Sequence, residues 1–149
     1  MTLYVSSRAL DEVNSTTWAS FDVRVGMLKG VTTYAWDYSH EFVDDLVPAT
    51  NEVDVGAVPA YARASVTGCT AAEQPGGSWR YDADTINFGS LAGTGLRARW
   101  CFIYAHVTND ADSWLIALWD AGSPGTAFTG ASYDVAFPDG VFIREYRAT

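Results

Sequence analysis

The residues able to do chemistry are few, and their spacings suit it poorly. Two acidic pairs, Asp82/Asp84 and Asp44/Asp45, and the loop acids Asp110 and Asp112 are the candidates for a glycosidase-type carboxylate pair or a calcium ligand set. Asp82 and Asp84 fall on one face of a strand, because strand side chains alternate with a period of two. In a chain carrying 18 Asp+Glu against 9 Lys+Arg, a net charge of −9, such clusters read as solvated surface. His40 and His106 lie far apart in sequence. Cys101 and His106 are the conceivable nucleophile–base pair, but their odd separation puts them on opposite faces of a strand. The sequence has no G-x-S-x-G element, no phosphate-cradling glycine loop and no histidine-rich metal triad. The expectation is a protein without catalytic, cofactor-binding or metal-ligating residues. Cys69 and Cys101 are too few for a disulfide framework and lack CxxC spacing. They read as inert buried thiols, with a disulfide between them as the alternative if their strands are neighbours.

Recognition chemistry is better represented. The acidic balance leaves little with which to build a basic face, so neither nucleic acid nor an anionic membrane is an expected partner. Arg97 and Arg99, two apart, read as an ion-paired strand edge. The outlier is aromatic content: 6 Trp, 8 Tyr and 7 Phe. Trp100 and Trp119 sit in apolar runs and read as core. Tyr34-Ala35-Trp36-Asp37-Tyr38 places three aromatics at alternate positions among polar residues. The candidate interaction surface is therefore Tyr34, Trp36 and Tyr38, together with Trp18; ordinary core packing is the competing reading.

These residues must be positioned mainly by strands. Asp22 to Met27 alternates polar and apolar, and Tyr61 to Gly68 does so more weakly. Trp79 to Asp82 and Thr85 to Phe88 are short strand candidates, the first preceded by the turn residues Gln74-Pro75-Gly76-Gly77. Leu96 to Val107 is apolar at consecutive positions, which predicts a central strand covered on both faces. Leu115 to Trp119 repeats that pattern. Ser132 to Phe137 and Val141 to Tyr146 flank Pro138-Asp139-Gly140 and predict a closing hairpin. Helix signals are confined to Ser39 to Leu46, which stops before Pro48, and to a short turn over Ser7 to Val13. The expected fold is mainly β: an antiparallel β-sandwich or barrel of about seven to eight strands with one or two short helices. Residues 1–20, polar and poorly periodic, read as an N-terminal arm, and residues 21–149 as a single β domain.

Composition agrees with a folded chain. At 149 residues and 48% hydrophobic it holds enough apolar mass for one domain, and no run is long enough to span a membrane as a helix. The opening residues lack a secretory pattern, and synthesis in a cytoplasm is the expectation.

Several segments in order resemble a family of small structural proteins encoded in tailed-phage genomes. They are His40-Glu41-Phe42-Val43-Asp44-Asp45-Leu46, then Asn51-Glu52-Val53 with Tyr61, then Tyr81-Asp82-Ala83-Asp84-Thr85-Ile86-Asn87-Phe88. The apolar strand Ala98 to Tyr104, the strand Leu115 to Gly122 and the closing run complete the pattern, which spans about residues 20–146. The Trp-rich N-terminus and the single lysine, Lys29, depart from it. The resemblance implies a non-enzymatic virion component, made in the host cytoplasm. Within that class the favoured role is a capsid decoration (cement) protein on the head exterior, a homo-oligomer (trimer favoured) bound to the major capsid protein. A tail or baseplate component, or a module stacking host-surface sugars on Tyr34, Trp36 or Tyr38, is the alternative.

Overall fold

Strand β6 (Ile86–Ala105) is the member on which the other elements assemble, and it is 20 residues long. A computed structural model describes residues 2–30, 34–122, 125–137 and 140–145. Along the chain they form β1 (Thr2–Val5), α1 (Ser7–Glu12), β2 (Val23–Lys29), α2 (Pro48–Asn51), β3 (Ala64–Ser65), β4 (Thr70–Gln74), β5 (Ser78–Asp82), β6, β7 (Trp114–Asp120), β8 (Thr126–Val135) and β9 (Phe142–Glu145). Short 3-10 turns cover Trp18–Ser20 and Val43–Leu46. A six-stranded sheet has the order β1-β7-β6-β2-β3, with β8 also paired to β6, and a three-stranded sheet has the order β4-β5-β9. Every pairing is antiparallel, so the fold is mainly β and of sandwich or barrel-like type. Among the described residues no helix is long and apolar enough to cross a membrane.

The consecutive apolar run of β6 has the expected cause. Ile103 and Ala105 face an inter-sheet core with Val23, Val25, Ile116 and Trp119, closed from the other sheet by Tyr81 and Phe142. Trp100, Phe102 and Tyr104 face the opposite side and pack with Leu28, Leu115 and Leu118. Val43 and Leu46 cover that outer face, with Tyr34 and Trp36 beside them. A third cluster, Met27, Val53, Val58, Tyr61, Leu91 and Phe128, lies where the N-terminal half of β6 meets β8. Gly26 is required opposite Phe102: a Cβ there would overlap the phenyl ring.

Several expectations are corrected. Residues 2–20 are not an arm. Thr2–Val5 pairs with β7 in the register Leu3↔Trp119, Tyr4↔Leu118. Ser6 caps α1 by accepting from the Ala9 N–H at 3.0 Å, and its hydroxyl donates to the Leu115 carbonyl. Ala9, Val13 and Trp18 are fully buried in the inter-sheet core. No closing hairpin forms, because β8 pairs with β6 and β9 with β5, so the connection passes from one sheet to the other. Pro138 and Asp139 of that expected turn lie outside the described residues. The expected strands Thr85–Phe88 and Leu96–Val107 are not separate: Ile86–Phe88 and Leu96–Ala105 belong to the one strand β6, which ends before His106, and β4 completes a hairpin with β5. Over the expected helix Ser39–Leu46, only Val43–Leu46 is helical, as a 3-10 turn. The reason is competition for the backbone. The Glu41 carbonyl accepts from Leu115 N–H at 2.7 Å, Val43 N–H donates to the Ser113 carbonyl at 2.9 Å, and Phe42 is held extended between them.

After that turn the chain stores strain. Val47 adopts φ 49° and ψ 60°, the left-handed region that a β-branched residue resists, and it is exposed. Val47→Gly is therefore expected to stabilise the fold by about 0.5–1 kcal/mol, read as a raised urea midpoint at unchanged slope. A lowered midpoint would show that the valine side chain contributes more than its backbone costs.

Candidate interaction surface

Segment 34–40 crosses the outer face of the large sheet. Tyr34 packs edge-on against Trp100 with ring centroids 5.4 Å apart, and its hydroxyl lies 3.1 Å from His40 Nδ1. Trp36 stacks on Tyr4 of β1 at 5.5 Å. It also meets His40 at 6.0 Å and Tyr38 at 6.2 Å, both edge-on. Asp37 then turns the chain: its Oδ1 accepts from the Ser39 N–H at 2.8 Å and the Ser39 hydroxyl at 2.7 Å, and its carbonyl accepts from His40 N–H at 3.0 Å. That turn sends Tyr38 outward, leaving it 76% exposed while Tyr34 and Trp36 are half-buried. The three aromatics thus do not share one exposed face. Two anchor the segment, and the third stands off it.

The fourth expected member is elsewhere. Trp18 is fully buried, its indole donates to the Asp82 carbonyl at 2.8 Å, and its ring lies edge-on to Tyr81 and Phe142. It is a core residue and takes no part in a surface.

Electrostatics around the segment are negative. Two hydrogen bonds from Ser39, the backbone one foremost, hold the Asp37 carboxyl below the usual range. Burial, and then the charges of Asp45 and Asp37, push the Tyr34 phenol upward. Two indole N–H groups, those of Trp36 and Trp100, are covered and have no acceptor among the described residues. Alongside, Arg99 lies over the Trp100 ring at 4.7 Å and pairs with Asp120 through two hydrogen bonds of 2.8 Å. Those bonds hold the Asp120 carboxyl below its ordinary value. Arg99 is the ion-paired strand residue that its spacing suggests, while Arg97 donates to the Gly125 carbonyl at 2.9 Å.

Of the residues considered for catalysis, the structure brings Asp44 and Asp110 together: the Asp44 N–H donates to the Asp110 carbonyl at 3.2 Å, and both line a cleft with Glu52 and Arg63. Asp82 pairs with Arg80 at 2.8 Å, and Asp84 accepts from the Thr67 hydroxyl at 2.9 Å. Asp45 accepts from the N–H groups of Glu41 and Phe42, both at 2.9 Å. Asp112 accepts from Asn109 at 2.8 Å. Cys101 packs against the inter-sheet core, whereas His106 lies against Tyr104 of the opposite face. Among the described residues no group of three or more His, Cys, Asp or Glu is placed to hold a metal ion.

Both cysteines are free. Burial pushes the Cys101 thiol up to about 12, and burial followed by the charge of Asp84 pushes Cys69 up to about 11. Since the thiolate is the reactive form, native protein at pH 8 is expected to react with a disulfide reagent far more slowly than free cysteine. The rate should climb about tenfold per pH unit until the thiols ionise, and reaction should be immediate in denaturant. Equal rates in the native and denatured protein would refute this.

Two features had no signal in the sequence. Arg63 links Glu52 and Asp110 on two separate connections, at 2.7 Å and 2.5 Å, and lies over Phe102 and Tyr104. A cleft of about 180 Å³ is walled by Cys101, Trp119, Tyr133 and Phe137. It exists because β8 curls back. Phe128 and Tyr133 are an odd number of residues apart, yet their rings meet at 5.4 Å, which a straight strand forbids. The β6–β8 register slips between Ser90 and Ala92, and Gly130 takes φ 85°, an irregularity of the bulge type that makes the bend.

No protein-family model matches the chain, and no curated protein matches it.

Proposed function

We propose that this chain is a structural component of a tailed-phage virion, a capsid decoration protein that binds the major capsid protein at symmetry axes and stabilises the filled head. The observation that carries the reading is the segment 34–38. It is an aromatic ledge fixed to the sheet by Tyr4 and Trp100, with Tyr38 presented to solvent at 76% exposure. Such a ledge is a contact surface: rigid aromatics supply buried area at low entropic cost, and the polar residues around them set register. The carboxylates that chemistry would need are occupied in holding the fold, as Asp82, Asp110 and Asp120 are in ion pairs. The ordered resemblance of residues 20–146 to small phage structural proteins supports the same conclusion.

A decoration protein acts through several modest contacts engaged together, so a homotrimer on a symmetry axis gains avidity from the shell's own geometry. A net charge of −9 repels free DNA and suits the outside of a head. The test is immunogold labelling and protein quantification on purified DNA-filled particles. The expected result is label over the head, with a copy number comparable to that of the capsid protein. Label on the tail in a few copies would replace this role with a tail component, and absence from mature particles would overturn it.

A further inference from the structure

We propose that the corner made by Trp36 and Tyr38 receives a cationic, extended peptide segment. In this arrangement an arginine or lysine side chain lies against the rings beside Asp37, and a backbone carbonyl of the same segment accepts from the Trp36 indole N–H. This rests on reading 34–38 as a contact surface, but not on where in a virion the protein sits.

Three observations carry it. The first is the pair of orphan donors. The indole N–H groups of Trp36 and of Trp100, a residue only 4% exposed, are covered and find no acceptor among the described residues. A covered donor left unpaired carries its desolvation cost unrepaid, and an arriving carbonyl recovers it. Of the rings around Trp36, namely Tyr4, His40 and Tyr38, only Tyr38 is exposed, so a segment from solvent approaches Trp36 along the Tyr38 side. The second is charge. The carboxylates of Asp37 and Asp45 stand near the Tyr34 phenol, and among the described residues neither forms an ion pair with a cationic side chain. The third is geometry. Trp36 and Tyr38 meet edge to face at 84°, an open angle whose ring faces attract a cation. A neutral sugar could also stack there, but it would gain no steering from a protein of net charge −9. Aromatic side chains presented together are a recurring platform for extended peptides.

The experiment titrates ¹⁵N-labelled full-length protein with the blocked peptide Gly-Arg-Pro-Arg-Gly, with Gly-Glu-Pro-Glu-Gly and with maltotriose. The readout is the indole N–H cross-peaks, with Trp36 assigned through Trp36→Phe. The arginine peptide is expected to shift the Trp36 cross-peak saturably, and the glutamate peptide is not. Asp37→Asn keeps the oxygen that accepts from Ser39, so the turn survives, and it should weaken the arginine peptide by about tenfold. Raising the salt to about 0.3 M should weaken it as well. No saturable shift, an equal response to both peptides, or a response to maltotriose alone would overturn the proposal. Failure here alongside labelled heads removes the peptide but leaves the decoration role; unlabelled particles alongside a specific shift do the reverse.

Discussion

Trp18→Ala is expected to lower the unfolding free energy by about 3–5 kcal/mol, the cost of emptying a large indole site in a packed core. The side chain has no exposed surface, and it sits where the two sheets close on each other, edge-on to Tyr81 at 6.0 Å and Phe142 at 6.1 Å. Those two rings are themselves stacked at 4.6 Å, so the cavity would open beside an aromatic pair that has little freedom to collapse into it. The lost bond from Nε1 to the Asp82 carbonyl adds about 1 kcal/mol, because that acceptor would face the void. Urea unfolding followed by far-UV circular dichroism measures the change. Trp18→Phe separates the terms, since it keeps most of the volume and loses only the donor. Unchanged stability in Trp18→Ala would mean that residues 2–20 do not belong to the folded unit.

Arg63→Ala should cost about 2–4 kcal/mol, a little under the roughly 3–5 kcal/mol for removing one partner of a fully buried ion pair, because the Asp110 side chain is 31% exposed. Arg63 holds two carboxylates at once, Glu52 through Nε and Nη2 and Asp110 through Nη1 and Nη2. Its side chain is 21% exposed and that of Glu52 14%, so solvent would compensate poorly for the missing cation. The Tyr61 hydroxyl donates to the same Glu52 at 2.7 Å and accepts from the Met27 N–H at 2.9 Å, which ties the network to β2. Burial, and then the charge of Glu52, drive the Tyr61 phenol strongly upward, so it remains a donor at any ordinary pH. A double-mutant cycle of Arg63→Met with Asp110→Asn should give a coupling of about 1–2 kcal/mol. A coupling near zero would mean that Asp110 is a solvated bystander.

What could be read from the sequence follows the range of the interactions involved. β2, β5, β7 and the central part of β6 announce themselves by local alternation or by consecutive apolar residues, and the structure has them there. The short helix that begins at Ser7 is similarly local. β1 was hidden because Thr2–Val5 is short and becomes a strand only by pairing with β7, more than 110 residues later. The expected hairpin around Gly140 failed for a related reason. Two alternating runs flank good turn residues, but each run pairs in a different sheet, β8 with β6 where Tyr133 meets Phe88, and β9 with β5 beside Tyr81. Of the candidate surface, Tyr38 is exposed and Tyr34 and Trp36 are half-buried, while Trp18, expected in an arm, is buried in the core. Arg63 could not be singled out, because nothing local distinguishes an arginine that reaches two distant acids from one that reaches water.

The length of β6 has a consequence for how the molecule comes apart and together. One uninterrupted strand contributes side chains to all three apolar clusters, Ile86 and Ile103 to the first, Phe102 to the second and Leu91 to the third. No cluster can melt without pulling on the backbone that the others share, so loss of structure is expected to be all-or-none. The adjacent β6–β7 hairpin can zip early, but β2 must find β6 across the register Val23↔Ala105, a wide chain separation to close. Assembly is therefore slow, in the millisecond-to-second regime of non-local β topologies. The same topology makes the finished chain a single mechanical unit, in which a load on one strand is shared by all three clusters.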